Sequence, residues 1–241
     1  IAVIENGMID HYLERKNEMI RPDIANVDQI LLVFAAKEPD FSFFLLDLFL
    51  VNILRQNITP VIVVSKIDLL KEEELFELKE KLSYYENMGY KVFYVDSKHK
   101  DGIDLVRAEL KDKITVLSGQ TGAGKSTLIN AVVPGFLLKT GEISQALGRG
   151  RHTTRETSLY PYLGGFIGDT PGFSKLDVLG IDKDEFEGLF VDFRGHTCKF
   201  RDCNHLEGIK GCGIYEAVQK GEILMSRYQS YNKMYKEILK K

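Results

Sequence analysis

The chain has 241 residues, 44% hydrophobic and 28% charged, a balance that supports a buried core without covalent staples and excludes a disordered chain. Its most apolar run, residues 41–54, is shorter than the ~20 residues a membrane-spanning helix needs, and Asp47 and Asn52 interrupt it. No basic, apolar leader opens the sequence, so a cytoplasmic location with no membrane partner is expected; a monomer is expected as well. The opening Ile in place of Met points to a fragment or a missing start. Net charge is −3, yet ten Lys/Arg stand against five Asp/Glu between Phe193 and Lys241. A nucleic-acid-facing region, or a solvated charged helix, therefore belongs at the C-terminal end.

Residues 1–22, with Gly7 as a turn between short apolar stretches, read as the last strands of a small β-structure. From Asp28 the pattern is regular: apolar Ile30–Phe34, helical residues 41–57, apolar Val61–Val64, and a charged amphipathic run over 71–88. It continues with Lys91–Val95, a short helix from about Gly102, apolar Ile114–Leu117, and a helix beginning at Lys125. Strands of this buried type alternating with helices predict an α/β fold, a mainly parallel sheet covered on both faces. Ligands then belong at the carboxyl ends of the strands, where Ser65, Asp96 and Gly119 each follow one. Beyond Gly172 the strand signal fades into helical sequence with a Gly- and Cys-containing insert. The expected division is 1–22, 23–178 and 179–241, the last a helical domain.

Gly119-Gln120-Thr121-Gly122-Ala123-Gly124-Lys125-Ser126 matches the phosphate-loop pattern, with Thr127 following, between a predicted strand and a predicted helix. The glycines let backbone N–H groups close on phosphate oxygens, Lys125 bridges the outer phosphates, and Ser126 is placed to ligate Mg²⁺. Asp169-Thr-Pro-Gly172 follows the strand ending at Ile167 and supplies a carboxylate for the magnesium shell and a Gly N–H for a γ-phosphate.

Base recognition has to come from elsewhere in the chain. Ser65-Lys66-Ile67-Asp68 resembles the guanine-reading N-K-x-D loop. Asp68 is placed to accept from the ring N–H and exocyclic amino group of guanine, donors that adenine lacks, while Lys66 lies along the base. Ser65 stands where Asn is usual. A hydroxyl is shorter than an amide, so the tie from base loop to phosphate loop is expected to be lost, at a cost in affinity more than in selectivity. Asp96-Ser97-Lys98 is an imperfect match to the S-A-K loop that meets the guanine carbonyl. Both base-reading stretches precede the phosphate loop, so the usual order of GTPase elements is circularly permuted. Asp68 and Lys125 are expected to hold opposite ends of one guanosine nucleotide.

Between the motifs lies Gly148-Arg-Gly-Arg-His-Thr-Thr-Arg155, a basic, Gly-containing loop. Thr154, with Thr153 close behind, is the expected magnesium-side threonine. Phe173 holds the place of the water-orienting Gln of Ras-like enzymes and cannot do that job, leaving His152 as the nearest candidate, unless it contacts RNA instead. Cys198, Cys203, His205 and Cys212 place every cysteine and one imidazole within fifteen residues. Three thiolates and one imidazole form a closed tetrahedral set for one structural Zn²⁺, the alternative being unligated core cysteines. His11, His99 and His196 read as isolated surface or loop residues.

Taken together, these stretches, with Arg21–Gln29 and Arg227–Tyr231, resemble the ribosome small-subunit-dependent GTPase A (RsgA, YjeQ) family. The resemblance implies an N-terminal OB-fold, of which residues 1–22 are the remnant, a permuted GTPase domain and a zinc-containing helical domain. It implies GTP, GDP, Mg²⁺ and Zn²⁺ as cofactors, and the small ribosomal subunit with its rRNA as partner. The activity implied is a slow, ribosome-stimulated hydrolysis of GTP late in subunit maturation. His152 falls on the family's catalytic histidine, and Ser126, Thr154, Asp169 and Lys125 on its magnesium and phosphate residues. A different reading of the same sequence is a nucleotide-gated rRNA-binding module that hydrolysis merely resets.

Overall fold

A computed structural model describes residues 2–5, 8–12, 14–20, 23–133, 158–169 and 176–240. Two small antiparallel pairs come first, β1 (Ala2–Glu5) with β2 (Met8–Tyr12) and β3 (Glu18–Ile20) with β4 (Asp23–Ala25). The side chain of Asn17 stitches the second pair to the sheet that follows: its amide donates to Val27 O at 2.7 Å and its carbonyl accepts from Val27 N at 2.9 Å.

The main sheet is six-stranded. Its members are β5 (Gln29–Ala35), β6 (Thr59–Ser65), β7 (Lys91–Tyr94), β8 (Ile114–Gly119), β9 (Ser158–Tyr162) and β10 (Gly165–Asp169), in the order β7-β6-β5-β8-β10-β9. All pairs are parallel except β9–β10. β5 is buried along its whole length, as a central parallel strand covered on both faces must be. Ile30, Leu32 and Phe34 point into one apolar layer and Leu31, Val33 and Ala35 into the other, the two-residue period of a strand.

The first layer is closed by α1 (Phe43–Leu54) and α2 (Glu72–Asn87), the second by α3 (Ile103–Glu109) and α4 (Lys125–Val132). Ser42 caps α1 by accepting from Leu45 N at 3.2 Å, and Glu72, Glu73 and Glu74 place negative charge on the positive end of α2. α1 is apolar nearly all round because it is covered twice. Leu46, Phe49 and Leu50 face the sheet, while Leu48 and Val51 join a third core with Phe186, Phe190, Phe193, Tyr231 and Tyr235. That core holds α5 (Lys183–Gly188), α6 (Gly213–Gln219) and α7 (Met225–Ile238). No helix among the described residues is long and apolar enough to cross a membrane.

Candidate functional site: a phosphate loop joined to a base loop

The carboxyl ends of β5, β6, β7, β8 and β10 open onto one edge of the sheet. At the end of β8, Gly119 has φ +125°, and a Cβ there would stand 2.2 Å from Val33 O on the neighbouring strand, so only glycine fits. Gln120 N donates to that carbonyl at 3.0 Å, and the chain then turns through Gly122 and Gly124, both with φ +80°, into α4. Lys125 folds back over the loop, its Nζ donating to Gly119 O at 3.1 Å and Gln120 O at 2.9 Å. Ser126 and Thr127 follow in the first turn, and Thr121 is exposed at the tip. Asp169, the last residue of β10, pairs in register with Leu117 on the strand that leads into the phosphate loop.

Ser65 ends β6 and is buried, and its Oγ donates to Ala123 O at 2.6 Å, with Phe34 O a longer second acceptor at 3.2 Å. The expected loss of the tie between base loop and phosphate loop is thus corrected. The hydroxyl is short, but the two loops approach closely enough for it to span them. Lys66 takes a left-handed conformation (φ 57°), and its Cε lies 3.9 Å from where a Cβ on Gly124 would sit. The turn then presents Asp68, whose Oδ2 accepts from Lys98 Nζ at 3.0 Å.

The third loop is held by Asp96, which accepts from Lys98 N at 2.8 Å and His99 N at 3.2 Å, and Asp96 and Asp101 close it with a β-bridge. Ser97 lies inside this turn. His99, read from sequence as an isolated residue, sets its Nδ1 against the Asp96 carboxylate. Burial works against the charge on Asp96, but the hydrogen bonds from the His99 ring and the two backbone N–H groups outweigh it and hold its carboxyl below the ordinary range. The same bond raises His99. His152, Thr153, Thr154, Gly172 and Phe173 lie outside the described residues.

One contributor escaped the motif reading. The loop after β5 braces both other loops: Glu38 O accepts from Lys66 Nζ, Asp40 O accepts from Gln120 Nε2 at 3.0 Å, and Pro39 Cδ lies 3.4 Å from a Cβ position on Gly122. Its signal was its position at the carboxyl end of a strand, without any recognisable motif. A cavity of about 860 Å³ lies at the opposite end of the sheet, against Gln29, Thr59, Lys91 and Lys113 at the strands' starts, and takes no part in this site.

The second cluster is Cys198, Cys203, His205 and Cys212, whose ligand atoms all lie within 4.8 Å of one another. Cys198 Sγ stands 3.9 Å from Cys212 Sγ and 3.4 Å from His205 Nδ1, and Cys212 Sγ is 3.6 Å from that nitrogen. A tetrahedron with Zn–S near ~2.3 Å and Zn–N near ~2.0 Å requires about 3.8 and 3.5 Å, so the donor set fits zinc. Gly213 N donates to Cys198 Sγ at 3.3 Å and Tyr215 N to Cys212 Sγ at 3.4 Å, contacts that favour thiolates. Burial pushes the Cys212 thiol up to about 12, a cost that a dication held by this donor set would reverse. Glu187, which no sequence pattern singled out, lies with Oε1 3.0 Å from His205 Nε2, though off the line of a good hydrogen bond.

A parallel sheet with its phosphate-loop strand beside the D-x-x-G strand, and with the loops that resemble base-reading motifs earlier in the chain, defines a circularly permuted P-loop GTPase fold. The family model described as RsgA GTPase matches residues 12–179, and the chain belongs to that family. It is 45% identical over 235 residues (97% of this chain, 80% of the relative) to the small ribosomal subunit biogenesis GTPase RsgA of Halalkalibacterium halodurans. To the protein of the same name from Onion yellows phytoplasma it is 47% identical over 234 residues (96% and 76%). Among solved structures, YjeQ from Thermotoga maritima matches with a TM-score of 0.84 at 36% identity, covering 97% of this chain and 79% of that one. YloQ, described as a circularly permuted GTPase, matches with a TM-score of 0.82 at 36% identity, covering 99% and 78%.

Proposed function

We propose that this chain binds guanine nucleotide across the joined loops, hydrolyses GTP, and acts in this way on the small ribosomal subunit late in its maturation. The observation that carries the nucleotide reading is the Ser65–Ala123 hydrogen bond, which fixes a base-reading loop against a phosphate loop. Family membership and the names of the relatives support the ribosomal part.

On this reading Asp68 exchanges its Lys98 partner for the two guanine donors, Lys66 covers the base, and the loop of Ser97 and Lys98 meets the guanine carbonyl. Backbone N–H groups of Gly119–Thr127 cradle the phosphates. Lys125 leaves the carbonyls of Gly119 and Gln120 for the β- and γ-phosphates, where it offsets charge that develops as water attacks in line. His152 orients that water, and the Gly172 N–H approaches the γ-phosphate. Ser126, Thr154 and Asp169 would hold Mg²⁺, which supplies charge neutralisation between the outer phosphates. Residues 179–241, clasped by zinc on Cys198, Cys203, His205 and Cys212, form the part nearest the subunit, and binding there speeds an otherwise slow turnover.

The test compares GTP hydrolysis with and without small subunits, for the parent chain and for His152→Ala. Stimulation in the parent and its loss in the variant are expected; equal rates in all four samples refute the proposed stimulation and the role of His152. Titration with GTP and ATP tests Asp68 separately, since equal affinities are incompatible with a carboxylate that reads guanine.

A further inference from the structure

His205 carries a buried nitrogen that metal ligation does not use. Its Nδ1 faces the sulfurs, 3.4 Å from Cys198 Sγ and 3.6 Å from Cys212 Sγ, so Nδ1 is the nitrogen placed to bind a metal. A neutral imidazole that ligates through one nitrogen carries its proton on the other, here Nε2. The residue is only 5% exposed, Nε2 is shielded from solvent, and among the described residues no acceptor stands in line with it. A buried N–H without a partner is costly, so ligation through Nδ1 creates a demand for an acceptor on the far side of the ring.

A carboxylate is at hand. Glu187 Oε1 lies 3.0 Å from Nε2, a hydrogen-bond distance at which only the angle is poor. With its side chain 39% exposed, Glu187 has room to turn its carboxylate, whereas the ring is held. Phe193 and Tyr231 lie against it, with centroids 5.8 and 6.1 Å away, and His205 sits at φ 55°, a left-handed conformation that few non-glycine residues adopt. Packing brings Glu187 to this place. Asp182 caps α5 by accepting from Asp184 N at 2.9 Å, and Phe186 is fully buried, its ring stacked 5.2 Å from that of Tyr231. Asp184, Arg194 and Arg201 line the same hollow of about 350 Å³, but of the described carboxylates only Glu187 reaches the ring.

We propose that Glu187 is the outer partner of the metal site, a positioning residue whose carboxylate accepts from His205 Nε2–H, fixes the tautomer and keeps Nδ1 turned toward the thiolates. A carboxylate on the far nitrogen also makes the near one a better donor. The contact is needed only while metal is held, because metal-free His205 can carry its proton on Nδ1 instead. This rests on the zinc site proposed above and adds to it a residue from α5, outside the ligand segment.

The experiment loads the full chain with zinc and measures its transfer to a chromogenic chelator, for the parent, Glu187→Ala and Glu187→Gln. Glu187→Ala is expected to bind zinc roughly tenfold to a hundredfold more weakly, and Glu187→Gln, which keeps an acceptor oxygen without the charge, to lie between. Melting temperatures of the metal-free parent and metal-free Glu187→Ala should agree, since only the loaded form uses the contact. Heteronuclear NMR of the loaded parent should place the His205 proton on Nε2, with faster solvent exchange in Glu187→Ala. Equal zinc affinity in the parent and Glu187→Ala overturns the proposal, as does a metal-bound Nε2. A fall in melting temperature that is the same with and without metal assigns Glu187 to packing and also overturns it. A parent chain that takes up no zinc refutes the metal site and this inference with it, whereas zinc held equally by all three proteins refutes the inference alone.

Discussion

Ser65 shows how one hydroxyl can serve where a longer side chain was expected, provided the backbone closes the gap. Its bond to Ala123 O is buried, so Ser65→Ala leaves that carbonyl without its partner at a cost of about 1 to 3 kcal/mol. The same change should weaken GDP binding several-fold by letting the two loops drift apart; urea unfolding and nucleotide titration read the two effects. His99 makes a different point. With its pKa raised by Asp96, the contact contributes below the ordinary histidine pKa of 6.5 and is lost as pH rises through the higher folded value. NMR titration should therefore find a His99 midpoint above 6.5, returning toward it in Asp96→Asn.

At the scale of elements, the alternation of apolar runs and helices was legible because central parallel strands are continuous apolar segments. β5, β6 and β8 fall on the apolar runs, extended by two residues, three and two. β9 was not legible: Ser158–Tyr162 contains Pro161, which argues against a strand except at an edge, and the edge is where it lies. The turn into β10, Leu163-Gly164, has φ of +47° and +79°, the tight two-residue hairpin whose twist suits paired strands. The convergence of Cys198, Cys203, His205 and Cys212 was legible from their spacing, but Glu187 beside His205 was not, because it comes from α5, earlier in the chain. If the four ligands hold one ion, metal analysis should find one zinc per chain. Cys203→Ser should lose it and lower the melting temperature, since α6 starts at ligand Cys212.

At the scale of the whole molecule, a single side chain clasps the C-terminal helices to the GTPase core. Arg227 on α7 is fully buried; it donates to Asp47 of α1 at 2.7 Å and to Asp192, in the turn before the zinc segment, at 3.2 Å. Tyr85 and Tyr84 of α2 donate to those same carboxylates at 2.8 and 3.0 Å, and the guanidinium lies 4.5 Å from the Phe190 ring centroid. Arg227 was one of the tail cations that suggested a nucleic-acid face, yet it is withdrawn from solvent and belongs to this clasp. Arg227→Met should destabilise the fold by about 3 to 5 kcal/mol, because it strands two buried carboxylates, and denaturant unfolding would show it. Through α1 the clasp ties the C-terminal helices to the sheet whose carboxyl edge carries the phosphate loop and the loop after Ser65.

What the sequence determined by itself was chemistry that depends on neighbours along the chain: a glycine-rich turn between strand and helix, and three cysteines and a histidine spaced to converge. It also determined the α/β class, because strand and helix periods are local properties. Only the tertiary structure decided how Ser65 reaches the phosphate loop, that the loop after β5 braces both others, and that Arg227 faces inward. Each of these depends on the distance between segments far apart in the chain, which packing fixes and no local pattern encodes.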